Sequence, residues 1–160
     1  MVRQGVVVLC LTLLVVVLAL PVTVLEVCSP DGTVLLRRPL PPGGRFELHY
    51  VHSWDKTPVI DLFASDKAGN LLLVEEQYLW MGAGLDFHPR ASLDFSGNMV
   101  RVLAPRPVGI LHLAVGTVAN QRLVFGQEEL PLTRLAPPGT KITLQLKKAS
   151  VFAALSGSIP

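Results

Sequence analysis

Beyond residue 28 the chain has no cysteine. Its two are Cys10 and Cys28, and with the first inside an apolar run no disulfide can form in the remainder, so the core must hold by burial. Charge is scarce as well: 16% of 160 residues are charged, with 14 basic residues scattered among 12 acidic ones. No basic stripe tracks a nucleic-acid backbone, which excludes nucleic acid as a partner. Repeats of about 20 to 50 residues and low-complexity tracts are absent, which excludes solenoid arrays. After Pro21 no segment keeps a helical period with a cap, so the exported part is not helical. The 13 Gly and 13 Pro are spread along the chain as turn punctuation, not gathered into a linker.

What the sequence has in abundance is an uncharged run from Gly5 to Leu25. At a rise of 1.5 Å per residue it reaches about 30 Å, the thickness of a hydrocarbon core. The expectation is one N-terminal transmembrane or signal helix. Arg3 and the α-amino group keep the start in the cytoplasm and send everything after Pro21 across the membrane. Val17-Leu18-Ala19, followed by Leu20 and Pro21, makes a poor cleavage site, which favours an uncleaved anchor over secretion after cleavage. Bulky Leu9 and Val27 precede the two cysteines where a lipoprotein signal needs a small residue. The predicted organisation is an anchor over 1–25, an extracytoplasmic β domain over 26–150 and a tail over 151–160, placed as a single-pass protein of the inner membrane facing the periplasm.

Short strands between turns fill the rest. Val22 to Cys28 and Thr33 to Arg37 flank Ser29-Pro30-Asp31-Gly32; Pro58 to Ser65 and Asn70 to Glu76 flank Asp66-Lys67-Ala68-Gly69; both read as hairpins. Arg45 to His52 puts Phe46, Leu48 and Tyr50 on one face and Glu47, His49 and Val51 on the other. Ala91 to Phe95 and Met99 to Leu103 surround Ser96-Gly97-Asn98, Gly109 to Val118 and Arg122 to Phe125 surround Ala119-Asn120-Gln121, and Thr140 to Lys147 follows Pro137-Pro138-Gly139. Val151 to Leu155 reads as a last edge strand or a segment packed on the core. The fold class is all-β, an antiparallel β-sandwich or small barrel.

Functional residue types are densest from Tyr50 to Asp61. His52 and Ser53 are adjacent on an extended chain and face opposite ways, so they make no nucleophile–base pair. Asp55 or Thr57 can bind nearby backbone N–H groups, and Pro58 forces Thr57 out of the helical region. Lys56, held in that tight loop, is placed to present its ammonium to an anion. Asp61, inside a strand of apolar neighbours, needs a partner if buried, with Lys56, His52 or the backbone as candidates. One of Glu75 and Glu76 shares the face of Leu71 and Leu73. His52, Asp61 and Glu75 could hold a metal, although their spacing fits no compact ligand motif. Gly82-Ala83-Gly84 makes a turn, or a backbone nest for an anion, and lacks the third glycine of a dinucleotide fingerprint. Trp54, Tyr78 and Trp80 can form an aromatic rim around these loops.

Tyr50-Val51-His52-Ser53, then Asp55-Lys56-Thr57-Pro58-Val59 with Asp61, and later Glu75, Tyr78 and Gly82-Ala83-Gly84-Leu85 resemble the bacterial family called domain of unknown function 1850. The resemblance runs from Val24 to Lys147 and takes in the leader; matching positions are His52, Ser53, Lys56, Thr57, Pro58, Asp61, Glu75, Gly82 and Gly84. Asp55 and Asp86 depart from the Glu and Pro expected there. It implies a small exported protein whose gene often stands beside those of tripartite ATP-independent periplasmic (TAXI-type TRAP) transporters, and it implies no reaction or cofactor. The expected function is therefore a membrane-anchored accessory module, with the membrane and transporter subunits as partners and no enzymatic role assigned. The binding residues are His52, Ser53, Lys56, Thr57, Asp61, Glu75, Gly82 and Gly84. The alternative is an envelope protein that binds a small carboxylate or anion, or a metal- or water-dependent hydrolase using His52, Asp61 and Glu75.

Overall fold

Glycines in the left-handed region set the turns. Gly32 at φ +85° and Gly69 at φ +89° close two hairpins, where any other residue is strained. The first joins β1 (Pro21–Cys28) to β2 (Val34–Pro39), and the second joins β4 (Pro58–Ser65) to β5 (Leu71–Tyr78). The computed structural model describes residues 2–41, 43–79 and 91–156. The other strands are β3 (Arg45–Val51), β6 (Ser92–Asp94), β7 (Val100–Pro107), β8 (Leu111–Ala114), β9 (Arg122–Phe125), β10 (Glu128–Pro131) and β11 (Lys141–Ser150).

They form two antiparallel sheets, one in the order β2-β1-β11-β8 and one in the order β10-β9-β3-β4-β5-β7-β6. The core between them joins Leu25, Val27, Leu36 and Leu144 of the smaller sheet to Phe46, Leu48, Phe63 and Leu123 of the larger. Phe46 and Phe63, opposite each other on β3 and β4, stack with centroids 5.2 Å apart. Arg38 on β2 ties the sheets at one edge, donating two bonds of 2.7 and 2.6 Å to Glu128 and lying 4.3 Å from the centroid of the Phe125 ring. A second apolar cluster, Val59, Tyr78, Val100, Val102 and Ala104, occupies the far end of the larger sheet, with Tyr50 packed against both clusters.

The N-terminal expectation is corrected. Helix α1 covers Val2–Ala19, and no helix among the described residues is long and apolar enough to cross a membrane. The physical reason is that the fold takes the end of the apolar run: Pro21 to Leu25 lie in β1, paired with β11. The uncharged helical stretch left, Gly5 to Ala19, measures about 22 Å against about 30 Å of hydrocarbon. The transmembrane or signal helix goes, and with it the single-pass inner-membrane placement, the membrane as partner and the anchored accessory role beside transporter subunits.

Two local expectations change too. Gly109 to Phe125 is no hairpin, because β8 pairs with β11 in the smaller sheet while β9 pairs with β3 in the larger. Val151–Ser156 is a short helix, α2, which buries Ala154. It stands near the Glu26–Arg37 ion pair of the smaller sheet, with Arg37 Nη1 3.4 Å from the Ala153 carbonyl.

Candidate functional site

The chain between β3 and β4 is a closed loop. Its ends are tied by His52 N–H to the Thr57 carbonyl at 2.8 Å, and its turn by Lys56 N–H to the His52 carbonyl at 3.2 Å. Asp55 braces it from inside. One carboxylate oxygen, Oδ1, accepts from the Thr57 N–H at 3.1 Å and the Thr57 hydroxyl at 2.8 Å and faces His52 Nδ1 at 3.1 Å. Burial opposes ionisation, but the bonds from Thr57 and His52 outweigh it and hold the carboxyl below its ordinary range. Oδ2 of Asp55 is buried with no hydrogen-bond partner. Lys56 adopts φ 60°, a left-handed conformation uncommon for a side-chain-bearing residue. Its ammonium donates to the Ser53 carbonyl at 2.5 Å. Ser53 and Lys56 are exposed, and Trp54 stands 83% exposed.

Asp61 lies elsewhere, on the core-facing side of β4. Its register partners are Leu48 on β3 and Glu76 on β5. Alternation from Leu71 and Leu73 would put Glu75 on that face; a bulge at Val74 reverses it, so Glu76 faces Asp61. Burial, then the charge of Glu76, pushes the Asp61 carboxyl up to about 7, with Arg106 and a hydrogen bond from Tyr50 pulling the other way. Tyr50 is in turn driven up by burial and by Asp61 and Glu76. Arg106 Nη1 donates to Glu76 at 3.0 Å, and Oδ1 of Asp61 is buried without a partner. Tyr50, Asp61, Glu76 and Arg106 thus form a polar seam between the two apolar clusters. Of the four only Asp61 was picked out from the sequence as a site residue. Tyr50 was legible through its alternation, and Glu76 was hidden by the bulge.

Glu75 is on the opposite face. It is 4% exposed and held by Arg101 through bonds of 2.6 and 2.7 Å, which keep its carboxyl below the ordinary range. His52, Lys56, Asp61 and Glu75 therefore do not meet: the first two belong to the loop, and the carboxylates to opposite faces of the sheet. Among the described residues no group of three His, Cys, Asp or Glu could hold a metal, which corrects the metal-dependent hydrolase built on His52, Asp61 and Glu75. Trp80, Gly82 and Gly84 lie outside the described residues. A cavity of about 560 Å³ runs along β8 and β11 and includes His112 and Lys141 but none of the expected binding residues.

A family model described as Domain of unknown function (DUF1850) matches residues 46–132, from β3 through the loop and the seam to the turn after β10. No curated protein matches, and no solved structure does.

Proposed function

The chain belongs to the domain of unknown function 1850 family, and from that premise we propose that its β-sandwich is a binding domain that receives a small carboxylate at the loop between β3 and β4. One observation carries this reading: the loop is braced from within by Asp55 while Lys56 and Trp54 are held out into solvent. A fixed loop has already lost the conformational freedom that a ligand would otherwise have to freeze, which favours affinity. The Lys56 ammonium has three donors and uses one on Ser53, leaving two for an anion. Trp54, two residues away, supplies a flat apolar wall. His52 and Thr57 act from inside as the loop's internal bonds, and the Ser53 hydroxyl is a further exposed donor.

Titrating the protein with acetate, succinate and citrate while following tryptophan emission tests this directly. At least one of the three gives a saturable change that Trp54→Phe removes and Lys56→Ala weakens roughly tenfold, the worth of a charged hydrogen bond. A flat response to all three acids, or a Lys56→Ala protein that titrates like the wild type, disproves the proposal.

A further inference from the structure

We propose that the outer face of the seven-stranded sheet carries a separate site, a cavity beside Arg45 and Glu47 that takes a small zwitterion of the α-amino-acid class with an apolar side chain. The cavity is about 380 Å³, at the small end of ligand sites, and is lined by Arg45, Phe46, Glu47, Leu62, Val124 and Gly126. Leu62 and Val124 are the register partners of Glu47 on its two sides, so they give the cavity an apolar floor. Arg45 and Glu47, two residues apart on one strand, set a cationic and an anionic group on the same face at about 7 Å spacing.

Neither charge is neutralised by the other. The Arg45 guanidinium makes no ion pair or hydrogen bond among the described residues, and the nearby carboxylate that feels its charge, Glu75, already has both oxygens on Arg101. Glu47 uses one oxygen, Oε2, at 2.5 Å from His49 Nε2. On the far side of the ring, Arg122 Nη2 lies 3.3 Å from His49 Nδ1. A guanidinium can only donate, so Nδ1 accepts and Nε2 carries the hydrogen that Glu47 receives. Arg122 Nε is ion-paired with Glu129 at 3.0 Å, without hydrogen-bond geometry. The chain Glu129–Arg122–His49–Glu47 fixes the carboxylate and leaves Oε1 open. A lone anion would meet repulsion from Glu47 and a lone cation repulsion from Arg45. A molecule with ammonium and carboxylate on one carbon satisfies both, and its side chain covers Leu62 and Val124.

The site is independent of the loop. Amide shifts of the full ¹⁵N-labelled chain, titrated with L-leucine, 4-methylpentanoate and 3-methylbutylamine, test it. L-leucine should give saturable shifts centred on Arg45, Glu47 and Val124, with each half-molecule binding at least about tenfold more weakly. Arg45→Gln and Glu47→Gln should each weaken L-leucine about tenfold, while Lys56→Ala leaves it unchanged. Absence of saturable shifts at these residues up to about 10 mM L-leucine overturns the proposal, as does 4-methylpentanoate binding as tightly as L-leucine. The half-molecule comparison needs no variant, so it stands even where a substitution perturbs folding.

Discussion

Asp61 shares a strand face with Leu48 and Phe63, across from a second carboxylate, and folding raises its pKa from 3.8 to about 7. A carboxyl raised on folding contributes stability that is fully present below its unfolded pKa and lost as pH climbs through its folded one. Thermal unfolding followed between pH 4 and pH 8 should therefore show stability falling by roughly 2–4 kcal/mol, a figure reduced for the partial exposure of the group. Asp61→Asn, which cannot ionise, flattens that slope; a wild type equally stable at both ends contradicts the assignment. On the opposite face, Arg101→Ala strands the buried Glu75 carboxylate and costs about 3 kcal/mol by denaturant titration. Double-mutant cycles between Asp61 and Lys56, and between His52 and Glu75, should be additive within about 0.5 kcal/mol because neither pair is in contact. That Asp61 needed help was legible from its apolar neighbours. The second carboxylate opposite it was not, since the choice between Glu75 and Glu76 turns on one extra residue, Val74, that alternation cannot reveal.

Strands were the legible elements. Pro58–Ser65 and Arg45–Val51 stand where turn residues and period-2 alternation put them, because local sterics and a half-buried face act on each strand alone. Partners were harder: β8 and β9 are neighbours in sequence yet join different sheets, since core burial and not the intervening turn decides where each apolar face goes. The apolar composition of Val151 to Leu155 suits strand and helix alike. Two predictions belong here. Deleting Val74 removes the bulge while leaving Glu75 on the outer face and Glu76 opposite Asp61, so the Glu75–Arg101 pair should survive and stability in urea should fall by less than about 2 kcal/mol. Lys56→Gly relieves a left-handed backbone and should raise stability by about 0.5–1 kcal/mol while weakening the carboxylate response about tenfold, as Lys56→Ala does, separating what the residue costs the fold from what it does.

At the scale of the molecule, every strand begins at Pro21 or later, and α1, whose side chains from Val6 to Val17 are mostly exposed, packs against α2. Removing residues 1–19 should leave a β-rich domain by circular dichroism, with a melting temperature within about 4 °C of the full chain; loss of cooperative melting would show that α1 belongs to the fold. The smaller sheet sets β1 against β11 along its whole length, Pro21 opposite Ser150 and Cys28 opposite Thr143. On the ribosome this makes the first strand to emerge wait for the last. Once residue 131 is out, all seven strands of the larger sheet exist, yet the cover over Phe46 and Phe63 lacks its central β11. About 20 more residues, roughly 1–4 s of translation at ordinary elongation rates, must follow before it can close. During that interval an apolar sheet face stands open beside a strand with a bare edge, so the demand this protein makes on chaperones is governed by elongation speed over residues 132–150.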